Sequence, residues 1–168
     1  MADDPGPDRG AKDLERAKCD DLTCQRIAIV LAEPLAQPGE SVLGNLGDRP
    51  RMIGIRHPRK EGEYIAVIPL ADTAISTSGD YERFFDRDGV RFHHIIDPAT
   101  GDSARKVRSA SVIAANAIDT DALSTTVVVL GVEKGLALVN GLPGVDAIIV
   151  DGEGKLHYSR ELLLSTTE

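Results

Sequence analysis

The sequence predicts an α+β domain: an antiparallel-rich sheet with two consecutive helices. Three observations carry that expectation. Short strand-like runs follow one another up to about residue 116. Two helical patterns then come back to back between Ile118 and Gly144. Finally VDAIIVD and KLHYS close as a hairpin over the turn DGEG. Strands in runs, then helices, then strands suit an α+β domain better than a parallel α/β one.

Taken in order, residues 1–25 are rich in Asp, Pro, Gly and Lys and bury too little apolar surface to order themselves. They are expected to be disordered, with AKDLERAK at most a frayed helical turn. Residues 26–43 hold a strand-like run, IAIVLA, and the loop EPLAQPGE. The regular domain is expected over residues 44–165. MIGIR alternates as a strand and HPRKEGE turns. YIAVIPL and TAIST read as two strands paired across a tight corner at Asp72. SGDYERFF reads as a short helix, with Ser78 or Gly79 at its N-cap and acids in its first turn. DRDG turns, and VRFHHII is a strand. DPATG ends it sharply: Pro98 fixes φ, Asp97 bonds the backbone two residues on, and Gly101 admits positive φ. SASVIAAN is the next strand. IDTDALSTTVVVLG is a helix opening on acids and ending at Gly131. VEKGLALVNGL is a second, with Leu136, Val139 and Leu142 as its inner stripe and Gly144 closing it.

Composition narrows the function. A chain of 168 residues with 42% hydrophobic content supports one domain with a real core. Aromatics are 4% and Trp is absent, so aliphatic packing dominates. The formal net charge of −8 argues against an electrostatic grip on nucleic acid or anionic membranes. An acidic protein handles phosphates most simply through a divalent cation. No apolar run approaches the ~20 residues of a membrane span. The polar start MADDPGPDRG is not a signal peptide, so a cytoplasmic location is expected. Cys19 and Cys24 are too few for a disulfide framework and read as two reduced thiols.

Three segments carry candidate chemistry. In VRFHHIID, alternation groups Val90, Phe92, His94 and Ile96 on one face and Arg91, His93, Ile95 and Asp97 on the other. The apolar company of His94 predicts that it points inward and that His93 meets solvent. In DTDALSTT, Asp121 and Thr125 are four apart and share a helix face. A carboxylate beside a hydroxyl is a partial shell for Mg²⁺, which completes its coordination with water and phosphate oxygens. The alternative is capping by Asp119 or Asp121, with threonines bonding back to the backbone. Yet two aspartates, a serine and three threonines in eight residues exceed what one cap needs. In ISTSGDYERFF, hydroxyls and a glycine precede Asp80 and Glu82, whose charges would repel a phosphate unless a cation lay between. RHPRK reads as a solvated turn, with Arg56 and His57 within reach of a substrate.

TSGDYERFF, HIIDPATG and DALSTTVVVLG, in this order and spacing, resemble the C-terminal half of the ApbE family of FAD:protein FMN transferases. IGIRHPR and the stretch EKGLALVNGLPGVDAIIVDGEGKLHYS share the likeness, which extends from Gly44 to Ser159. The resemblance implies an ApbE-like (T-fold-like) partial domain. It also implies Mg²⁺-dependent transfer of FMN from FAD onto a Ser or Thr hydroxyl of a flavoprotein acceptor, with release of AMP. Asp121 and Thr125 become metal ligands. His94 becomes an active-site residue near the flavin diphosphate, removing a proton or orienting the diphosphate. Thr77, Ser78, Gly79 and His94 contribute to the flavin pocket. Residues 1–43 do not match the family's N-terminal half, so weak activity is expected, with self-association or pairing with an N-terminal half. Two alternatives remain open at this level: an FAD diphosphatase using water, and a non-catalytic flavin- or metal-binding scaffold.

Overall fold

The computed structural model describes residues 29–31, 41–42 and 51–165, and side chains from 51 to 164. The expectations for residues 1–25, the EPLAQPGE loop and the two cysteines lie outside the described residues.

Two antiparallel sheets and a helical layer stack on one another. The first sheet has the order β1-β3-β4, built from β1 (Ile29–Leu31), β3 (Arg51–Arg56) and β4 (Tyr64–Leu70). The second has the order β12-β11-β10-β5-β2, built from β2 (Ser41–Val42), β5 (Thr73–Gly79), β10 (Val107–Ala114), β11 (Asp146–Asp151) and β12 (Leu156–Tyr158). Between the sheets lie Ile53, Ile55, Ile68, Leu70, Ile75, Ile113 and Ile148. On the far face of the second sheet pack the helices α1 (Ala117–Leu130) and α2 (Val132–Val139). There Ala110, Val112, Ala147 and Ile149 of the sheet meet Val127, Val128 and Val139 of the helices. Alternation along β10 produces this division: Ala110 and Val112 face the helices, and Ile113 faces the first sheet. A core of Ile, Val and Ala is what a chain without Trp must build. A short helix, α3 (Arg160–Ser165), follows the closing hairpin.

The two consecutive helices and the DGEG hairpin form, but α2 stops at Val139 with Asn140 as its C-cap, so Leu142 and Gly144 of the expected helix lie beyond its end. Three other local expectations fail. YIAVIPL and TAIST do not pair with each other: β4 pairs with β3, and β5 pairs with β10 and β2. Asp72, at φ 49°, is the corner by which the chain leaves one sheet for the other. SGDYERFF is not a helix. Strand β5 runs on to Gly79, the chain turns at Tyr81, and β6 (Phe84–Arg87) pairs with β7 (Val90–His93). The acids in that segment find arginines instead of a helix dipole. Nor is VRFHHII one strand. It bends at His94 and resumes as β8 (Ile96–Asp97), which pairs with β9 (Asp102–Ser103).

The DPATG turn forms as its residues dictate. Gly101 N–H donates to the Asp97 carbonyl at 2.8 Å, Ala99 N–H donates to Asp97 Oδ1 at 3.0 Å, and Gly101 has φ 70°. Among the described residues β1 and β4 are the outer strands of the first sheet, with Val67 of β4 half exposed.

The β11–β12 turn is fastened by Asp151. Its Oδ1 accepts from the backbone N–H groups of Glu153, Gly154 and Lys155, each at 2.9 Å, and its Oδ2 lies 2.7 Å from His157 Nε2. The His157 bond, with the backbone donors adding to it, holds the carboxyl at about 2, below its ordinary 3.8. A depressed carboxyl contributes stability above its unfolded pKa, and that stability is lost as pH falls towards the folded value. Wild type should therefore be more stable than Asp151→Asn at neutral pH. The difference should close between about pH 4 and pH 2. Urea denaturation across a pH series measures it, and a gap that persists unchanged at pH 2 would contradict the assignment.

Candidate active site

The floor of the site is a set of hydroxyls between β5 and α1. Ser76 and Ser78 are two apart on β5 and point to the helix side. Thr120 and Ser124 are four apart on α1 and point to the sheet. Two strand residues span about 6.6 Å, and four helix residues rise about 6 Å, so both pairs meet at once. Ser76 Oγ lies 2.6 Å from Thr120 Oγ1, and Ser78 Oγ lies 2.9 Å from Ser124 Oγ. All four residues are buried. This accounts for the surplus of hydroxyls in DTDALSTT. The buried stripe of α1 runs Thr120, Ser124, Val127, Val128: polar where it faces β5, apolar where it joins the core.

Asp121 and Thr125 flank that stripe, one turn apart, both half-buried. Thr125 Oγ1 lies 2.9 Å from Ser78 Oγ. Burial pushes the Asp121 carboxyl above its ordinary value. Capping does not explain either residue. The N-cap is Asn116, whose Nδ2 donates to Asp119 at 3.1 Å. The donor set, one partly desolvated carboxylate and one hydroxyl, fits a hard, oxygen-seeking cation that retains most of its water. Among the described residues no cluster of three or more His, Cys, Asp or Glu side chains forms a fuller metal cage.

Past Ser78 the strand end is packed by its neighbours. A Cβ at Gly79 would lie 2.5 Å from the Tyr81 ring and 3.0 Å from the Arg108 carbonyl oxygen, so glycine lets that ring lie against the strand. Burial pushes the Tyr81 phenol up to about 12. Asp80 is buried, and Arg59 holds it with two bonds, at 2.7 and 2.5 Å. Arg56 pairs with Glu82 at 3.0 Å. RHPRK is therefore more than a solvated turn: its two arginines neutralise the acids of GDYE. Between them opens a cleft of about 640 Å³ lined by Arg56, His57, Arg59, Tyr64, Tyr81 and Phe84.

The histidines reverse the sequence expectation. His93 is buried and His94 is exposed. His93 Nε2–H donates to the Ala104 carbonyl at 2.7 Å, and Ser103 Oγ accepts from His93 N–H and donates to the His93 carbonyl. Alternation held, but with the opposite phase: Arg91, His93 and Ile95 form the inner row. The apolar row instead builds the outer face of the β6–β7 hairpin. Phe85 and Phe92 stack there at 5.2 Å. Arg91 covers the Phe84 ring at 3.6 Å on the other face. His94 lines a cleft of about 630 Å³ with Arg83, Phe84, Phe85, Phe92 and Ile96. Aromatic rings beside guanidinium groups suit a planar, anionic ligand.

The structure thus joins Ser78, Ser124, Thr125 and Asp121 in one cluster. His94 belongs to the hairpin cleft. Thr77 faces away from α1, with its hydroxyl 2.7 Å from Ser111 Oγ. Sequence reading missed the Arg59–Asp80 pair and the β5–α1 hydroxyl match. The signal for the second was present, as serines two apart on a strand and hydroxyls four apart on a helix.

Comparison with known proteins agrees with the fold. The model of the ApbE family matches residues 39–149. An FAD:protein FMN transferase of Treponema pallidum (strain Nichols) is 51% identical over 109 residues, 64% of this chain and 30% of that protein. The crystal structure of the ApbE protein from Thermotoga maritima superposes with a TM-score of 0.68 at 35% identity, over 95% of this chain and 52% of that one. The flavin transferase ApbE from Vibrio cholerae superposes with a TM-score of 0.58 at 30% identity, over 72% of this chain and 39% of that one. The chain therefore spans from under a third to about half the length of these relatives. With two thirds of its residues inside the family match, this chain belongs to the ApbE family.

Proposed function

We propose that this chain carries the metal-binding and histidine-bearing part of an FAD:protein FMN transferase. The reaction would be Mg²⁺-dependent transfer of FMN from FAD to a Ser or Thr hydroxyl of a flavoprotein acceptor. The observation that carries the reading is the pairing of Asp121 and Thr125 on one turn of α1, one partly desolvated, the other anchored to β5. The relatives' names support the same activity.

The chemistry balances without a nucleophile from this chain. The acceptor oxygen bonds to the phosphorus of the FMN moiety, the bond from that phosphorus to the AMP oxygen breaks, and AMP leaves with the electron pair. Mg²⁺, when bound, would neutralise the diphosphate and stabilise the leaving phosphate. Asp121 and Thr125 would hold it. His94 borders the aromatic cleft, where it would take the acceptor's proton or orient the diphosphate. Thr77, Ser78 and Gly79 form the strand end on which α1 and Tyr81 rest. The rest of the flavin pocket would come from regions that the relatives have outside the part matched here.

Asp121 supplies the first test. A carboxyl whose folded pKa is raised penalises the folded state once ionised; the penalty is full above the folded pKa and absent below the unfolded one. In metal-free buffer at pH 7, Asp121→Asn should melt above wild type, and the advantage should vanish below about pH 4. Added Mg²⁺ should reverse the order by stabilising wild type only, by about 2.7 kcal/mol at a hundred times its dissociation constant. Equal Mg²⁺ responses in the two proteins would remove the metal reading.

The second test is transfer itself. FAD, Mg²⁺ and a flavoprotein acceptor should yield AMP and an acceptor that keeps its flavin through denaturation. His94→Ala should lower the rate by about 10²–10⁴-fold. AMP release without a flavinylated acceptor would favour the diphosphatase, and no turnover with intact Mg²⁺ binding would favour a scaffold.

A further inference from the structure

We infer that Ser78, through Ser124, fixes the direction of the Thr125 hydroxyl and so acts as a positioning residue for the cation site. This rests on the reading of Asp121 and Thr125 as ligands.

Each hydroxyl has one proton to give and two lone pairs to receive with. Ser124 Oγ lies 3.0 Å from the Asp121 carbonyl oxygen, which can only accept, so the Ser124 proton is there. Ser124 therefore accepts from Ser78 across their 2.9 Å contact. The Ser78 proton is then spent, and across the 2.9 Å contact with Thr125 it is Thr125 that donates. The order is Thr125 to Ser78, Ser78 to Ser124, Ser124 to the Asp121 carbonyl. Its consequence is that the Thr125 proton points into the protein, towards β5. A hydroxyl ligates a cation through a lone pair, with its proton turned away. The chain of bonds presets that orientation, where a lone threonine would rotate among several.

The same molecule contains a control. Thr120 Oγ1 donates to the Ala117 carbonyl at 2.8 Å, so Ser76 donates to Thr120. The polarity matches that of the Ser78–Ser124 pair, and both members are buried. Its two hydroxyls bond to each other and to the Ala117 carbonyl, at the end of α1 away from the Ser78–Thr125 contact. A purely structural role would make the two pairs equivalent. Ser78 is thus set apart from the flavin-contacting role that the resemblance implies: its hydroxyl is buried against α1 and acts through Thr125.

The test is calorimetric titration of the full chain with Mg²⁺ alone, with a thermal melt of each variant. Ser78→Ala should weaken Mg²⁺ binding by about 10–100-fold, the usual cost of losing an outer-shell partner. Ser124→Ala should weaken it in the same direction, because Ser78 can then turn its proton towards Thr125. Ser76→Ala should melt lower yet bind Mg²⁺ as wild type does, and Ser78→Thr should keep the affinity. Should Ser78→Ala fail to fold, Ser124→Ala decides alone. Wild-type affinity in Ser78→Ala, beside an Asp121→Ala that no longer binds, would sink this inference and leave the metal reading standing. Equal losses in Ser76→Ala and Ser78→Ala would also overturn it, by showing general loosening. A wild-type chain that does not bind Mg²⁺ overturns both.

Discussion

The contact between β5 and α1 is the constraint from which the rest of the site follows. A strand in the middle of a sheet normally offers apolar side chains to the helix above it. Here Ser76 and Ser78 offer hydroxyls, and α1 answers with Thr120 and Ser124. Left unpaired, each buried hydroxyl would cost about 1–3 kcal/mol, so α1 cannot slide or rotate on β5 without breaking both pairs. Valines in the same position would tolerate small shifts. The polar match fixes the register of helix on strand, and its Ser78 end also meets Thr125. The price appears at Asp121, whose carboxyl is held where burial disfavours its charge.

The second constraint is that the active segments are fixed from outside by ion pairs. Arg59 holds Asp80, and Arg56 holds Glu82. The β3–β4 turn is thereby tied to the segment between β5 and β6. Asp80 is buried and Arg59 reaches it from the surface with two parallel bonds, a bidentate geometry that fixes position well. Arg56–Glu82 is more exposed and weaker. Gly79 completes the arrangement by letting the Tyr81 ring lie on the strand.

Much of this was legible in the sequence, and the failures share a cause. The helices, the closing hairpin and the DPATG turn rest on local signals: caps, glycines, a proline and a repeat of 3.6. Those signals act over a few residues, and nothing distant overrides them. The phase of VRFHHII was misread because Val90 and Phe92 looked like a core row. Phase depends on what covers each face, and the interior on that side is closed by Ser103 and Ala104, which receive His93. SGDYERFF was misread as a helix because its acids suit a helix start. They suit Arg56 and Arg59 better, and that partnership spans more than twenty residues. The Asp121–Thr125 pairing was legible because four residues on a helix is itself a geometric statement. Its anchor on Ser78 was not, because no local rule places β5 beneath α1.

Net charge also means less at the site than over the chain. A formal charge of −8 suggests that a phosphate must be met through a cation. The structure adds several arginines around the hairpin clefts, a second source of positive charge. Each of four, however, is matched to a carboxylate: Arg56 to Glu82, Arg59 to Asp80, Arg91 to Asp86 and Arg105 to Asp102. A diphosphate drawn to one of these guanidinium groups meets its carboxylate as well. Such paired guanidinium planes can stack on rings and orient an anion, but they bring little net charge to neutralise one. The proposed cation would supply that charge at the partly desolvated carboxylate of Asp121, beside the Thr125 hydroxyl. The acidity of the whole chain and the pairing of its local arginines thus favour, by separate routes, the proposed dependence on Mg²⁺.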